Sequence, residues 1–150
     1  MTESVESRIR ELIEREMRAW ETGDAELLLT VFHPDMVWPW PRSPTSYDPL
    51  DWDIGFGRFD RDRWGTLWQG LFDTHELVHN RHRIRSIQVS EQADAALAVL
   101  DVDTLWRGPG GADEHWRGRV SKGYTLVGAE FKLILHTGAL RYDDEASRAP

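Results

Sequence analysis

The sequence predicts a single α+β domain, and three observations carry that expectation. Helical periodicity is confined to the first half, the second half reads as four long stretches rich in Val, Leu, Ile, Trp and Thr, and the links between those stretches (SEQAD, RGPGGAD, VGAE) are short and turn-like. Strands joined so tightly run antiparallel. The chain's 150 residues are one domain's worth, long enough to enclose a core.

Val5, Ile9, Leu12, Ile13, Met17 and Trp20 share one helical face, with Glu and Arg filling the opposite side, so the first element is an amphipathic helix. Gly23 is placed to end it and Asp24 to cap a shorter second helix, whose apolar stripe is Leu27, Leu28 and Val31 and which His33-Pro34 should stop. Asp35 then closes a turn. Residues 36–41 (MVWPWP) read as a short strand that its prolines restrict to an edge. The stretch 42–59 is a long Pro/Asp/Gly loop, a lid or a surface excursion. A third helix follows behind Asp60 or Asp62 as cap, with Trp64, Leu67, Trp68, Leu71 and Phe72 on one face and Gly65 and Gly70 weakening it. The four strands are expected near 77–89, 94–107, 114–127 and 130–138. The domain runs over 1–142, and residues 143–150 (DDEASRAP) have nothing to bury and are expected to be a disordered tail.

Both faces of the strand around Leu97 to Trp106 carry apolar side chains, unlike a sheet covered on one side only. Three helices can cover one face, which leaves the other for a second copy, and a homodimer is expected. Register follows from charge: with Asp101 and Asp103 opposite Arg119 and Arg117, four charges pair on one face. The reverse face then holds Ala98, Leu100, Val102, Thr104 and Trp106, facing Trp116, Val120, Lys122, Tyr124 and Leu126. A slip of one residue would invert every assignment.

Composition narrows the partners. A formal charge of −8 opposes the counterion release that drives nucleic-acid binding. No apolar run reaches membrane-spanning length, and the charged N-terminus does not resemble a signal peptide, so a soluble cytoplasmic chain is expected. Without cysteine there are no disulfides, thiolate metal sites or cysteine nucleophiles. Eight residues are Trp, each with a large apolar surface and one N–H that wants a partner. Trp38, Trp40, Trp52, Trp64 and Trp68 crowd together, as a ligand cavity or as core.

The segments WETGDAELLLTVFHPDMVW (20–38), GRFDRDRWGTLWQGLF (57–72) and GYTLVGAEFKLILHTGAL (123–140) resemble the nuclear-transport-factor-2-like superfamily, especially its SnoaL-like branch. The resemblance implies a cone-shaped barrel, a curved and mostly antiparallel sheet wrapped around the long N-terminal helix, with an apolar cavity at its open end. The superfamily holds ketosteroid isomerases, scytalone dehydratase, polyketide cyclases, an epoxide hydrolase and many non-enzymatic modules, so fold alone does not decide function. The isomerase pattern fails here: its catalytic Asp falls on Trp40 before Pro41, its carboxylic-acid donor near Lys122 and its helix-one Tyr near Glu16.

The same resemblance points His136 into the cavity, while the charge-based register adds Lys122 and Tyr124. If Arg81, Arg83 and Arg85 face out, Asn80 and His82 face in. Imidazole titrates near neutrality and serves as acid or base. An inward Lys has its charge disfavoured, or binds an anionic group. The candidate catalytic set is therefore His136, Lys122, Tyr124 and His82, with Asn80 as orienter. Trp20, Trp38, Trp40, Trp64 and Trp68 are candidates for the ligand walls, with Trp106 and Trp116 from the sheet. The bland alternative leaves each imidazole hydrogen-bonded or exposed, Tyr124 in the core, Lys122 snorkelling at a rim and His115 solvated.

His75-Glu76-Leu77-Val78-His79 spells H-E-x-x-H, which binds zinc when a helix sets its imidazoles one turn apart. Here it runs into strand-like NRHRIRSIQV, where residues four apart stand roughly 13 Å from each other. No metal site is expected from it, a zinc hydrolase remaining only a minor alternative. Nucleophile-elbow, Walker and dinucleotide motifs do not occur, so no cofactor is expected. The leading expectation is a pocket for a small hydrophobic or aromatic molecule, with cofactor-independent acid/base chemistry of dehydratase, isomerase or cyclase type. The alternative is a non-catalytic binding or dimerisation module.

Overall fold

The computed structural model describes residues 3–43, 50 and 52–137, apart from the side chains of residues 40, 41 and 53. The tail 143–150, the end of the last strand at 138, part of the 42–59 loop and the Trp40 side chain lie outside the described residues.

Helix α1 spans Val5–Thr22, its N-terminus capped by the Ser4 hydroxyl, which accepts from the Ser7 N–H. Its stripe of Ile9, Leu12, Ile13 and Trp20 is buried, and each such side chain contributes about 1.5–3 kcal/mol through the water it sheds. Gly23 ends the helix at φ 65°, a left-handed conformation that costs glycine little. The Asp24 carboxylate accepts from the Leu27 N–H and opens α2 (Ala25–Leu29).

Two expectations fail just beyond. Helix α2 stops at Leu29, before His33-Pro34, and buries Leu28 and Leu29 while leaving Leu27 half-buried. The chain turns at once into strand β1 (Phe32–Val37), so Asp35 closes no turn but lies within a strand and pairs with Arg58. Pairing with a distant strand overrides the local stop signal: β1 lies parallel to the last strand, with Phe32 beside Leu133. The short strands β2 (Trp40–Pro41) and β3 (Trp52–Asp53) form a separate two-stranded pair. Helix α3 spans Arg61–Thr74 behind Asp60, whose carboxylate accepts from the Arg63 N–H. It buries Trp64 and Trp68 but leaves Leu67 exposed. Gly65 lets α3 approach α2, since a Cβ there would stand 3.2 Å from Leu29.

The main sheet is built from β4 (Glu76–Val89), β5 (Ala95–Arg107), β6 (Asp113–Val127) and β7 (Glu130–His136), with β1 added beside β7. Its order is β1-β7-β6-β5-β4, all antiparallel except the β1–β7 pair. It does not close into a barrel, because β1 and β4 are its two edges. Register shifts after Leu77, Ile84 and Gly123 interrupt the ladders, and such irregularities bend and twist the strands that carry them.

The register is the one that charge predicts: Asp101 pairs with Arg119 and Asp103 with Arg117. Ala98, Leu100, Trp106, Val120, Lys122 and Tyr124 are accordingly buried. The outer face carries the charge ladder, where Arg85 and Arg119 both bond the Asp101 carboxylate. The Arg119 hydrogen bond, with Arg85 adding to it, holds that carboxyl below its ordinary value although burial opposes the shift. Leu97 and Leu135 are outer-face residues flanking Gly123 and stay 42% and 45% exposed. No helix among the described residues is long and apolar enough to cross a membrane.

Candidate functional site

The tryptophans divide into two groups. Trp64 and Trp68 belong to an edge-to-face aromatic core: Trp68 meets Trp20 at 4.9 Å and Trp38 at 5.4 Å between ring centroids, and Trp64 meets Phe32 at 5.3 Å. The Trp64 indole N–H donates to the Phe56 carbonyl. Trp20, Trp38, Trp106 and Trp116 instead wall a cavity between α1 and the inner face of the sheet, so four expected wall residues reach it while Trp64 and Trp68 do not.

That cavity measures about 60 Å³. It exceeds the roughly 10–15 Å³ that one water needs and falls well short of the roughly 300–1,000 Å³ typical of drug-sized ligand pockets. Indole rings thus fill much of the space that the resemblance implies is hollow.

Its polar wall is a row of three buried side chains from three elements. Glu16 stands on the apolar stripe of α1, three residues after Ile13 and four before Trp20; Lys122 projects inward from β6; His136 ends β7 directly opposite Lys122. All three are at most 5% exposed. Lys122 Nζ donates to both Glu16 oxygens, at 2.9 Å to Oε1 and 2.8 Å to Oε2. Its third donor points at His136 Nδ1, 3.3 Å away. An ammonium group can only donate, so Nδ1 accepts, and a neutral ring carries its proton on Nε2.

Trp38 stacks on His136, with centroids 3.7 Å apart and planes 16° from parallel, and fixes the imidazole plane. The Lys122 ammonium lies 5.6 Å from the Trp38 ring centre, within cation–π range. Burial, with the neighbouring ammonium adding to it, holds His136 well below the usual imidazole value. The ring is therefore neutral at physiological pH. Across the cavity the Asn80 Oδ1 accepts from the Thr104 hydroxyl at 2.8 Å, and Asn80 Nδ2 lies 3.3 Å from Met17 Sδ. Asn80 is thereby held with its amide at the cavity wall.

The remaining candidates stand elsewhere. Tyr124 is buried but does not line the cavity. Its hydroxyl has no partner among the described side chains, and burial, then the Glu16 carboxylate, push its ionisation well above the ordinary phenol value. A hydroxyl held neutral so firmly gives no anion. His82 does turn to the helix side, yet bonds Glu14 at 3.3 Å, outside the cavity lining. The HELVH residues do not converge either: His75 caps the end of α3 beside Glu114, and His79, on β4, bonds Asp103. Glu16 is the residue that sequence reasoning missed. Its signal was an acidic residue standing inside the apolar stripe of the first helix.

No protein-family model and no curated protein matches this sequence. Solved structures do. A ketosteroid isomerase-like protein from Erwinia carotovora atroseptica superposes with a TM-score of 0.67 at 12% identity, over 91% of this chain and 96% of its own. An NTF2-like protein of unknown function from Prochlorococcus gives 0.65 at 11%, over 96% and 99%. A scytalone dehydratase-like protein from Novosphingobium aromaticivorans gives 0.60 at 15%, over 87% and 80%. Such identities speak for the backbone and not for the chemistry. By that likeness, and by an open curved sheet closed over a long N-terminal helix, the chain has the nuclear-transport-factor-2-like fold.

Proposed function

We propose that the protein is a cofactor-independent acid/base enzyme that moves a proton next to a carbonyl group, in a dehydration or isomerisation of a small hydrophobic or aromatic substrate. The observation that carries this reading is the buried Glu16–Lys122–His136 row at the wall of a cavity whose other lining is mostly indole and aliphatic side chains. The Lys122–His136 contact is the longest of the three ammonium bonds. A substrate carbonyl oxygen can take that N–H, and the exchange frees the Nδ1 lone pair. The imidazole then removes a proton from the carbon beside the carbonyl: the C–H bond breaks, an N–H bond forms, and the electron pair moves to the oxygen. Lys122 stabilises that oxyanion, Glu16 keeps the ammonium in place, and Asn80 orients the substrate. The imidazolium returns its proton to another carbon, or to a leaving hydroxyl as the C–O bond breaks and water departs.

The cavity, at about 60 Å³, is smaller than the roughly 150 Å³ that holds a benzene ring, so a substrate enters by its carbonyl end alone or by displacing a wall side chain. The same small volume favours a second reading, a non-catalytic module in which the polar row only specifies the core. One experiment separates the two. Small cyclic and aryl ketones are incubated with the protein in D2O, and exchange of the protons beside the carbonyl is followed by NMR. Exchange above the buffer rate that falls about 10²–10⁴-fold in His136→Gln is the enzymatic outcome. Equal rates for the natural chain and the variant across the set would sink it.

A further inference from the structure

The outer face of the sheet, away from the cavity, gathers a second group of side chains. His79 on β4, Asp103 on β5 and His115 on β6 stand on three adjacent strands, His79 and His115 both opposite Leu105, two residues beyond Asp103. Their imidazoles converge on one atom: His79 Nε2 lies 2.7 Å and His115 Nε2 2.6 Å from Asp103 Oδ1. The three donor atoms all fall within 4.8 Å of one another. The rings are nearly perpendicular, at 87° with centroids 5.9 Å apart, so their nitrogens approach the carboxylate from different directions.

We infer that His79, Asp103 and His115 form a binding site for a zinc-class divalent ion with an open fourth position. Zinc takes imidazole nitrogen at about 2.0–2.1 Å and carboxylate oxygen at about 2.0–2.2 Å, which places tetrahedral ligands roughly 3.3 Å apart. The present N···O separations, 2.7 and 2.6 Å, lie about 0.6–0.7 Å below that spacing, so the side chains must rotate apart to admit an ion. Two imidazoles and one carboxylate suit zinc, where a calcium or magnesium site would call for oxygen ligands. Three protein ligands are the complement of an ion that keeps one position for water or another small ligand. Anchoring on three paired strands holds the donors in place before the ion arrives. Arg81 and Arg117 stand opposite Asp103 on the flanking strands, so an ion enters against two cations and the vacant position favours an anionic or hydroxide ligand. His79 is the last residue of HELVH, but its partners come from 24 and 36 residues further along the chain.

The test is a calorimetric titration of the untagged chain with zinc, repeated with cobalt to read the absorption bands of tetrahedral coordination. One ion per chain is expected. His79→Ala and His115→Ala should each weaken binding by more than the about 10–100-fold that loss of a merely supporting group costs. All three positions are at least partly exposed, so these variants keep the fold, which circular dichroism verifies. His75→Ala should leave binding unchanged. Absence of binding to the natural chain, retention of affinity in either ligand variant, or an equal loss in His75→Ala would overturn the assignment.

Discussion

Replacing Glu16 by Leu strips the Lys122 ammonium of its buried counter-charge. Both side chains are 2% exposed and the ammonium sits 2.8–2.9 Å from each carboxylate oxygen. At a charge separation near 3 Å and an effective dielectric of about 20, the attraction is roughly 5–6 kcal/mol, and it offsets the several kcal/mol that each ion loses on leaving water. Breaking such a pair from one side costs about 3–5 kcal/mol, because the remaining charge stays buried. That is a large part of the roughly 5–15 kcal/mol that holds a domain together. Lys122→Met should cost a similar amount. The double variant, with both charges gone and side-chain volume kept, should be much more stable than either single loss implies. Urea unfolding followed by tryptophan fluorescence measures all four corners of the cycle. If a single variant fails to fold, recovery of folding in the double variant carries the same information. Single losses below about 1 kcal/mol, the range of exposed pairs, or a double variant as unstable as the sum of the two would refute a desolvated, mutually dependent pair.

Stability should also fall in mild acid through His136. Its folded value is depressed by burial and by Lys122, so above the ordinary imidazole value near 6.5 both states are neutral and the group contributes no pH dependence. As pH falls below that value the unfolded chain takes up a proton and the folded chain does not; stability therefore drops by at most about 1.4 kcal/mol per pH unit until the folded value is reached. His136→Gln should remove this slope in unfolding curves recorded between pH 7 and 5, and an unchanged slope would count against a neutral buried ring. On the outer face, Leu97 and Leu135 flank Gly123 as an exposed apolar row, and we expect a second copy to cover it. Light scattering at micromolar concentration should give twice the chain mass, and Leu135→Lys should return the protein to a monomer; a monomeric natural chain would contradict this.

Some of the site was legible because short-range rules decide it. Asp101 and Asp103 could meet Arg119 and Arg117 in only one register, and that register turned Lys122 and Trp116 inward along with Trp106. Period-two geometry does the rest. The cap residue Asp24 was readable for a similar reason, since a carboxylate three residues before an orphan N–H has a local partner, and the structure chose Asp60 over Asp62 for the third helix. Glu16 was missed because an acidic residue on a helix is ordinarily solvated, and only the facing strand makes it otherwise. His82 was placed on the correct side of the sheet, but how far along α1 it lies, beside Glu14 rather than Glu16, depends on helix position and not on alternation.

From its own pattern the chain determined the α+β class, the boundaries of the long helices and strands to within a residue or two, and the meander's register, because periodicity, capping and cross-strand charge act between near neighbours. Tertiary structure alone decided that β1 would join β7 in parallel and that the sheet would stay open. It also drew indole rings in until about 60 Å³ remained, and brought Glu16, Lys122 and His136 into one line. Those outcomes rest on contacts between segments up to about a hundred residues apart, where packing density and the cost of an unpaired buried charge choose among arrangements that local preferences leave equal.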